Sequence, residues 1–118
     1  MYEVGVKASF SSAHFLRDFS GPCENLHGHN WRVEAVFAAE KLDGKGMVID
    51  FAVAEGELKK IISRFDHHLL NEISPFDNLN PTAENLAKWI FDELAGNLPA
   101  LPSKVTVYET DESFASYF

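Results

Sequence analysis

Five histidines are present, and all five fall in two short stretches: His14 with His27 and His29, and the adjacent pair His67-His68. His27 and His29 are two residues apart, so on a β-strand both rings leave the same face. Three neutral imidazoles with one position left open form a common donor set for a catalytic Zn2+, whereas a fourth protein ligand closes the sphere of a structural site. An open position lets the ion act as a Lewis acid toward substrate oxygens. Gly28, between the two histidines, suits a close approach of backbone to a metal or substrate. Cys23 is the only cysteine and lies four residues before His27, in a loop that contains Gly21-Pro22. Its thiol has three readings: a small apolar group, a fourth metal ligand, or a base whose pKa is lowered from ~8.5 by a nearby cation or histidine.

Two further places carry candidate chemistry. In Asp66-His67-His68 the carboxylate can orient an imidazole that moves a proton, although an Asp-His neighbour pair alone is a weak signal. Glu109 ends the run Val105-Thr106-Val107-Tyr108-Glu109 on the parity of the two valines. A carboxylate on an apolar face needs a partner. A ligand edge with two adjacent N–H donors would satisfy both oxygens. Were the strand to end earlier, Glu109 would instead be solvated.

The elements that must position these residues show in the periodicity. From Tyr2 to His14 the even positions are mostly apolar and the odd ones polar, the pattern of a half-buried antiparallel strand. A second strand carries His27, His29, Trp31, Val33, Ala35, Phe37 and Ala39 on its odd positions. His14 also lies on the apolar parity of its strand, so the three imidazoles should converge where two neighbouring strands end. Asp50 is the expected cap of a helix with the stripe Phe51, Ala54, Leu58, Ile61, Ile62 and Phe65. Asn80-Pro81-Thr82 opens a second helix, striped by Ala83, Leu86, Ala87, Ile90 and Leu94, with Gly96 just past its end. Lys104 to Thr110 and Phe114 to Phe118 read as two more strands. Runs of like elements imply an α+β fold, a four-stranded antiparallel sheet with both helices on one face. Its exposed edges would be removed if sheets joined across subunits.

Composition narrows the function classes. The chain has 118 residues, of which 34 are Leu, Ile, Val or Phe, and nothing breaks it into parts, so one domain over 1–118 is expected. Ten Lys and Arg against 18 Asp and Glu leave a net charge of −8, the wrong sign for gripping nucleic acid through phosphates. The longest apolar stretch, Ala35 to Ala39, is far too short to span a membrane. No secretory signal opens the sequence, and one cysteine excludes an internal disulfide framework, so a cytoplasmic location is expected.

Cys23-Glu24-Asn25-Leu26-His27-Gly28-His29, with Ser12-Ala13-His14 upstream, resembles the C-x-x-x-H-G-H signature of the 6-pyruvoyltetrahydropterin synthase family. Within that family it is most similar to the bacterial 6-carboxytetrahydropterin synthases. Gly46 to Phe51, Asp66 to Asn71, Asn80 to Asn85 and Val107 to Thr110 match the same family in the same order, so the resemblance covers essentially the whole chain. It implies a tunnelling fold, in which four-stranded subunits join into a barrel, commonly a homohexamer built as a dimer of trimers, with active sites between subunits. It further implies zinc on His14, His27 and His29, Cys23 as general base, Asp66 and His67 as proton relay, and Glu109 as pterin anchor, apart from the metal ligands. His68 receives no role beyond packing.

The implied substrate is 7,8-dihydroneopterin triphosphate, converted to 6-carboxy-5,6,7,8-tetrahydropterin for queuosine and other deazapurines. The oxidation and reduction are internal to the substrate, in keeping with the absence of G-x-G-x-x-G and G-x-x-x-x-G-K stretches. Some relatives carry glutamate in place of the cysteine and cleave the side chain to 6-hydroxymethyl-7,8-dihydropterin for folate synthesis. Glu24 beside Cys23 leaves that reaction open. A 6-pyruvoyltetrahydropterin synthase activity fits less well, because the cysteine of the animal enzymes lies further from H-G-H. A zinc- or pterin-binding paralogue without activity is the non-enzymatic alternative.

Overall fold

A computed structural model describes residues 1–118. The chain forms strands β1 (Tyr2–His14) and β2 (His27–Ala39), helices α1 (Phe51–Ile62) and α2 (Ala83–Asn97), and strands β3 (Lys104–Tyr108) and β4 (Phe114–Tyr117). They make one antiparallel sheet in the order β1-β2-β3-β4, with both helices on one face. The fold expected from the order of elements is the fold observed.

Alternation decides the core. Val6, Phe10 and His14 of β1 are buried together with Trp31, Val33, Ala35 and Phe37 of β2 and Val105 and Val107 of β3. Against this face α1 buries Ala54, Leu58, Ile61 and Ile62, and α2 buries Ala83, Leu86, Ala87, Ile90 and Leu94. Phe65, just beyond α1, fills the space between Phe10 and Trp89, with ring centroids 5.7 and 5.2 Å away. Asp50 caps α1 by accepting from the Ala52 N–H at 2.8 Å, and Thr82 caps α2 by accepting from the Asn85 N–H at 3.1 Å.

Three local expectations are corrected. Phe51 does not join the buried stripe: as the first residue of α1 it is 56% exposed, and it lines a shallow apolar hollow with Tyr2, Leu42 and Met47. Gly96 does not end α2, which runs to Asn97 and closes with the Leu98 N–H on the Leu94 carbonyl. Only Gly21 and Gly46 among the glycines have positive φ, so Gly96 makes no left-handed stop. The third strand ends at Tyr108 rather than Thr110, because the chain is already turning toward β4.

The strands differ in length, and this positions the site. β1 and β2 pair along all thirteen residues, from Tyr2 opposite Ala39 to His14 opposite His27. β3 pairs with β2 only from Val36 to Arg32. The β1–β2 ribbon therefore carries His14, His27 and His29 beyond the last β2–β3 pair.

Candidate metal centre and active site

His14 and His27 are cross-strand partners, and His29 follows His27 on the same face. The three rings converge, with centroids 4.6 to 5.2 Å apart. One nitrogen from each lies within 4.8 Å of the other two, an arrangement able to hold a metal ion. Trp31 packs edge-on beneath His14 and His29 and is itself fixed by donating its indole N–H to the Ser12 carbonyl at 3.2 Å.

Hydrogen bonds behind the rings decide which nitrogens are free. The Nδ1 of His14 donates to the Pro81 carbonyl at 2.8 Å, and that of His27 donates to the Asn25 carbonyl at 2.6 Å. A carbonyl only accepts, so both Nδ1 atoms carry the proton and both neutral rings present an Nε2 lone pair. Those two Nε2 atoms face each other at 3.0 Å. The Nε2 of His29 is buried and forms no hydrogen bond. Lone pairs brought together in this way need a cation between them, and the residues present fit one. Burial lowers the pKa of both His14 and His29, which keeps the rings neutral and free to ligate.

Cys23 lies in a short 3-10 turn, Pro22–Glu24, free and half-buried, and outside the three-histidine group. The turn is tied back to the end of β1 by the Leu16 N–H, which donates to the Cys23 carbonyl at 2.8 Å. Gly21 leads into it at φ 157°, where a Cβ would lie 2.8 Å from the Phe19 ring. Glu24 is exposed on the same turn.

Asp66, His67 and His68 dock on the free edge of β1. The Ser11 N–H donates to Asp66 Oδ1 at 2.9 Å, the His67 N–H donates to the Ser11 carbonyl at 2.6 Å, and the Ala13 N–H donates to the His68 carbonyl at 3.1 Å. His67 adopts φ 59°, a conformation uncommon for a non-glycine residue. Its Nδ1 lies 3.0 Å from Asp66 Oδ2, and its ring is 81% exposed. The Ser11 N–H first, and His67 second, hold the Asp66 carboxyl below its ordinary range. His67 and His68 line a shallow hollow of about 450 Å3 together with His29, Asn30 and Ser11. The expected Asp66–His67 pair therefore forms, but within one chain it is not hydrogen-bonded to Cys23. His68 does more than pack, since its carbonyl also accepts from the Ser12 hydroxyl at 2.6 Å.

Glu109 has the face that its parity required, but not the separation expected of it. The residue stands one step beyond the Arg32–Tyr108 pair, level with the histidine end of β2. Its Oε1 is 3.5 Å from His29 Nε2 and its Oε2 is 3.8 Å from His14 Nε2. The β2–β3 register causes this, by carrying the residue after Tyr108 alongside the longer ribbon. The N–H of Glu109 donates to the Ser113 carbonyl at 3.0 Å, which extends the hairpin past the strand ends.

Sequence reasoning missed the groups that hold this end of the molecule. Asn71, only 7% exposed, accepts from the Phe15 N–H at 3.0 Å and donates to the Phe15 carbonyl at 2.9 Å. Asn80 does the same for Arg17, at 2.8 and 3.0 Å. Two asparagine amides thus clamp alternate residues of the segment between His14 and Cys23, while the neighbouring Pro81 fixes His14. In sequence these asparagines carry only turn and cap signals.

The family model described as 6-pyruvoyl tetrahydropterin synthase matches residues 3–118, and the chain belongs to that family. The 6-carboxy-5,6,7,8-tetrahydropterin synthase of Synechocystis is 36% identical over 124 residues, covering 100% of this chain and 94% of that protein. The Bacillus subtilis enzyme of the same name is 34% identical over 98% of this chain and 84% of its own length. A dihydroneopterin monophosphate aldolase from Pyrococcus furiosus is 37% identical over 79% of this chain and 75% of that protein. Among solved structures, the Caenorhabditis elegans 6-pyruvoyl tetrahydropterin synthase superposes with a TM-score of 0.90 at 28% identity, covering 98% of this chain and 94% of that one.

Proposed function

We propose that the protein is a zinc-dependent synthase that converts 7,8-dihydroneopterin triphosphate to 6-carboxy-5,6,7,8-tetrahydropterin, with loss of triphosphate and acetaldehyde, in the supply of queuosine-type deazapurines. The observation that carries this reading is the convergence of three histidine nitrogens, two of them with fixed tautomers, beside an inward-facing carboxylate. Kinship with enzymes named for that product supports it. His14, His27 and His29 would hold the zinc ion. Bound there, zinc supplies Lewis acidity toward the side-chain hydroxyls of the substrate.

The residues of the chain account for the remaining steps. Glu109 offers two oxygens to the N–H/NH2 edge of the pterin, a charge-assisted bidentate match. Cys23 removes a proton from the substrate side chain as general base. Asp66 keeps the proton of His67 on Nδ1, 3.0 Å away, so Nε2 is the nitrogen that moves a proton. Because Asp66 and His67 dock on the free edge of β1 and form no hydrogen bond with Cys23, the complete site is proposed to form between subunits of a homohexamer, where β1 and β4 are the open edges.

A second reading is side-chain cleavage to 6-hydroxymethyl-7,8-dihydropterin, with Glu24 as the acid–base group. It is favoured by one feature, the placement of Glu24 beside Cys23 on a single exposed turn. The aldolase relative from Pyrococcus adds to it. Mass-spectrometric analysis of products from zinc-loaded protein and 7,8-dihydroneopterin triphosphate separates the two. The 6-carboxy product and acetaldehyde are expected. A 6-hydroxymethyl product replaces the first reading by the second, and no turnover refutes both.

A further inference from the structure

The position of Glu109 is not explained by pterin anchoring alone. Its carboxylate lies 3.5 Å from the Nε2 of His29 and 3.8 Å from that of His14, yet it forms no hydrogen bond with either nitrogen. The Nε2 of His14 carries no proton, because its Nδ1 donates to the Pro81 carbonyl, and an anion against an unprotonated nitrogen is unfavourable unless a cation lies between them. Donor atoms about 2.0–2.1 Å from a tetrahedral zinc ion are about 3.3 Å from one another. The observed donor separations of 3.0 Å between His14 and His27, 3.5 Å and 3.8 Å scatter around that edge length. Each carboxylate oxygen stands within 4.0 Å of a ring nitrogen of the site, and the side chain is only 27% exposed. No other carboxylate oxygen of the chain stands within 4.0 Å of a ring nitrogen of these three histidines.

We propose that Glu109 is the displaceable fourth ligand of the metal, so that the ion and the donor edge of a pterin compete for one carboxylate. The pterin half of this inference rests on the function proposed above, whereas the metal half stands on the distances alone. With the metal bound and no pterin present, Glu109 closes the coordination sphere. A pterin that takes both oxygens opens it, and the vacated position becomes available to the substrate's own oxygens. The site would then stay closed until a molecule with the correct ring edge arrives. Because linkage is reciprocal, each ligand weakens the other by the same factor when the pterin has no side-chain oxygens with which to compensate.

Two measurements on the full chain test this. Zinc affinity is read by competition with a chromophoric chelator for the native protein and for Glu109→Gln. A weakening of about 10–100-fold is expected, the usual effect of losing a group that supports a metal site. Unfolding of the metal-free forms checks that the variant is folded, and its midpoint should equal or slightly exceed that of the native protein. In the second measurement, unsubstituted 2-amino-4-oxopteridine is titrated into metal-free and zinc-loaded protein by calorimetry. Tighter binding to the metal-free form is expected, by the factor with which the pteridine weakens zinc binding to the native protein. Equal zinc affinity in Glu109→Gln overturns the ligand role, and equal pteridine affinity with and without zinc overturns the competition. Should the pteridine bind neither form while the zinc effect persists, the pterin reading fails and the competition fails with it, but the ligand stands.

Discussion

His27→Ala separates the metal from the fold. In the metal-free protein the Nε2 atoms of His14 and His27 face each other at 3.0 Å with both lone pairs exposed, so the pairing costs stability instead of adding it. His27 is only half-buried, and its removal leaves little cavity. Metal-free His27→Ala is therefore expected to melt at the native temperature or slightly above. The loaded protein is different. At a zinc concentration of about 1,000 times Kd, a ligand specific to the folded state adds ~4 kcal/mol. For a chain of this size ~1 kcal/mol shifts Tm by about 3–6 °C, so zinc should raise the native Tm by about 10 °C or more. His27→Ala should lose most of that rise together with its stoichiometric zinc. The assay is thermal unfolding with zinc and with chelator, paired with metal analysis of dialysed protein. His14→Ala provides the contrast: His14 is fully buried, holds the Pro81 carbonyl and packs on Trp31, so its removal should cost ~2–4 kcal/mol even without metal. Retention of tightly held zinc and of the zinc-dependent rise in Tm by His27→Ala would refute the assigned ligand set.

Other outcomes follow from the same geometry. Cys23→Ala should keep its zinc and lose about 10²–10⁴-fold in turnover, whereas loss of zinc would place the thiol on the metal instead. Asp66 has a folded-state pKa below its unfolded value of 3.8, so its stabilising contribution is complete above that pH and fades as the pH falls through the lower folded value. Asp66→Asn should accordingly flatten the acid limb of a stability–pH profile below about pH 4, and an unchanged limb would mean that its contacts with Ser11 and His67 contribute nothing. Asn71→Ala leaves the N–H and carbonyl of Phe15 unpaired, which should cost about 2–3 kcal/mol in chemical unfolding.

How far the sequence discloses this molecule depends on the range of the interactions concerned. The histidine cluster was legible because period-two alternation fixes a face locally, and β1 and β2 keep that alternation without a bulge from Tyr2 to His14 and from His27 to Ala39. Glu109 was legible by half. Parity gave its face, but its height along the sheet is set by the register between β2 and β3, a pairing across 68 to 76 residues that no local pattern encodes. The amide clamps of Asn71 and Asn80 were hidden for a related reason, since their partners lie 56 and 63 residues away. Gly96 misled because a glycine near a helix end acts as a stop only in a left-handed conformation, which this one does not adopt.

The docking of residues 66–69 on β1 also determines how far another chain can travel along that edge. In an antiparallel strand alternate residues turn their N–H and carbonyl groups to the same side, and on the outer side of β1 these belong to the odd-numbered residues. Ser11 has spent both of its groups, on Asp66 and His67, and Ala13 has given its N–H to the His68 carbonyl. Glu3, Gly5, Lys7 and Ser9 still present theirs outward. A strand added there finds a zipper about 20–25 Å long with a built-in stop. It would have to halt at Ser11, which is already bonded to Asp66 and His67, so the side chains that follow its last paired residue would always reach the same spot. One short segment would thus serve as a ruler, giving any strand that joined this open edge a fixed register.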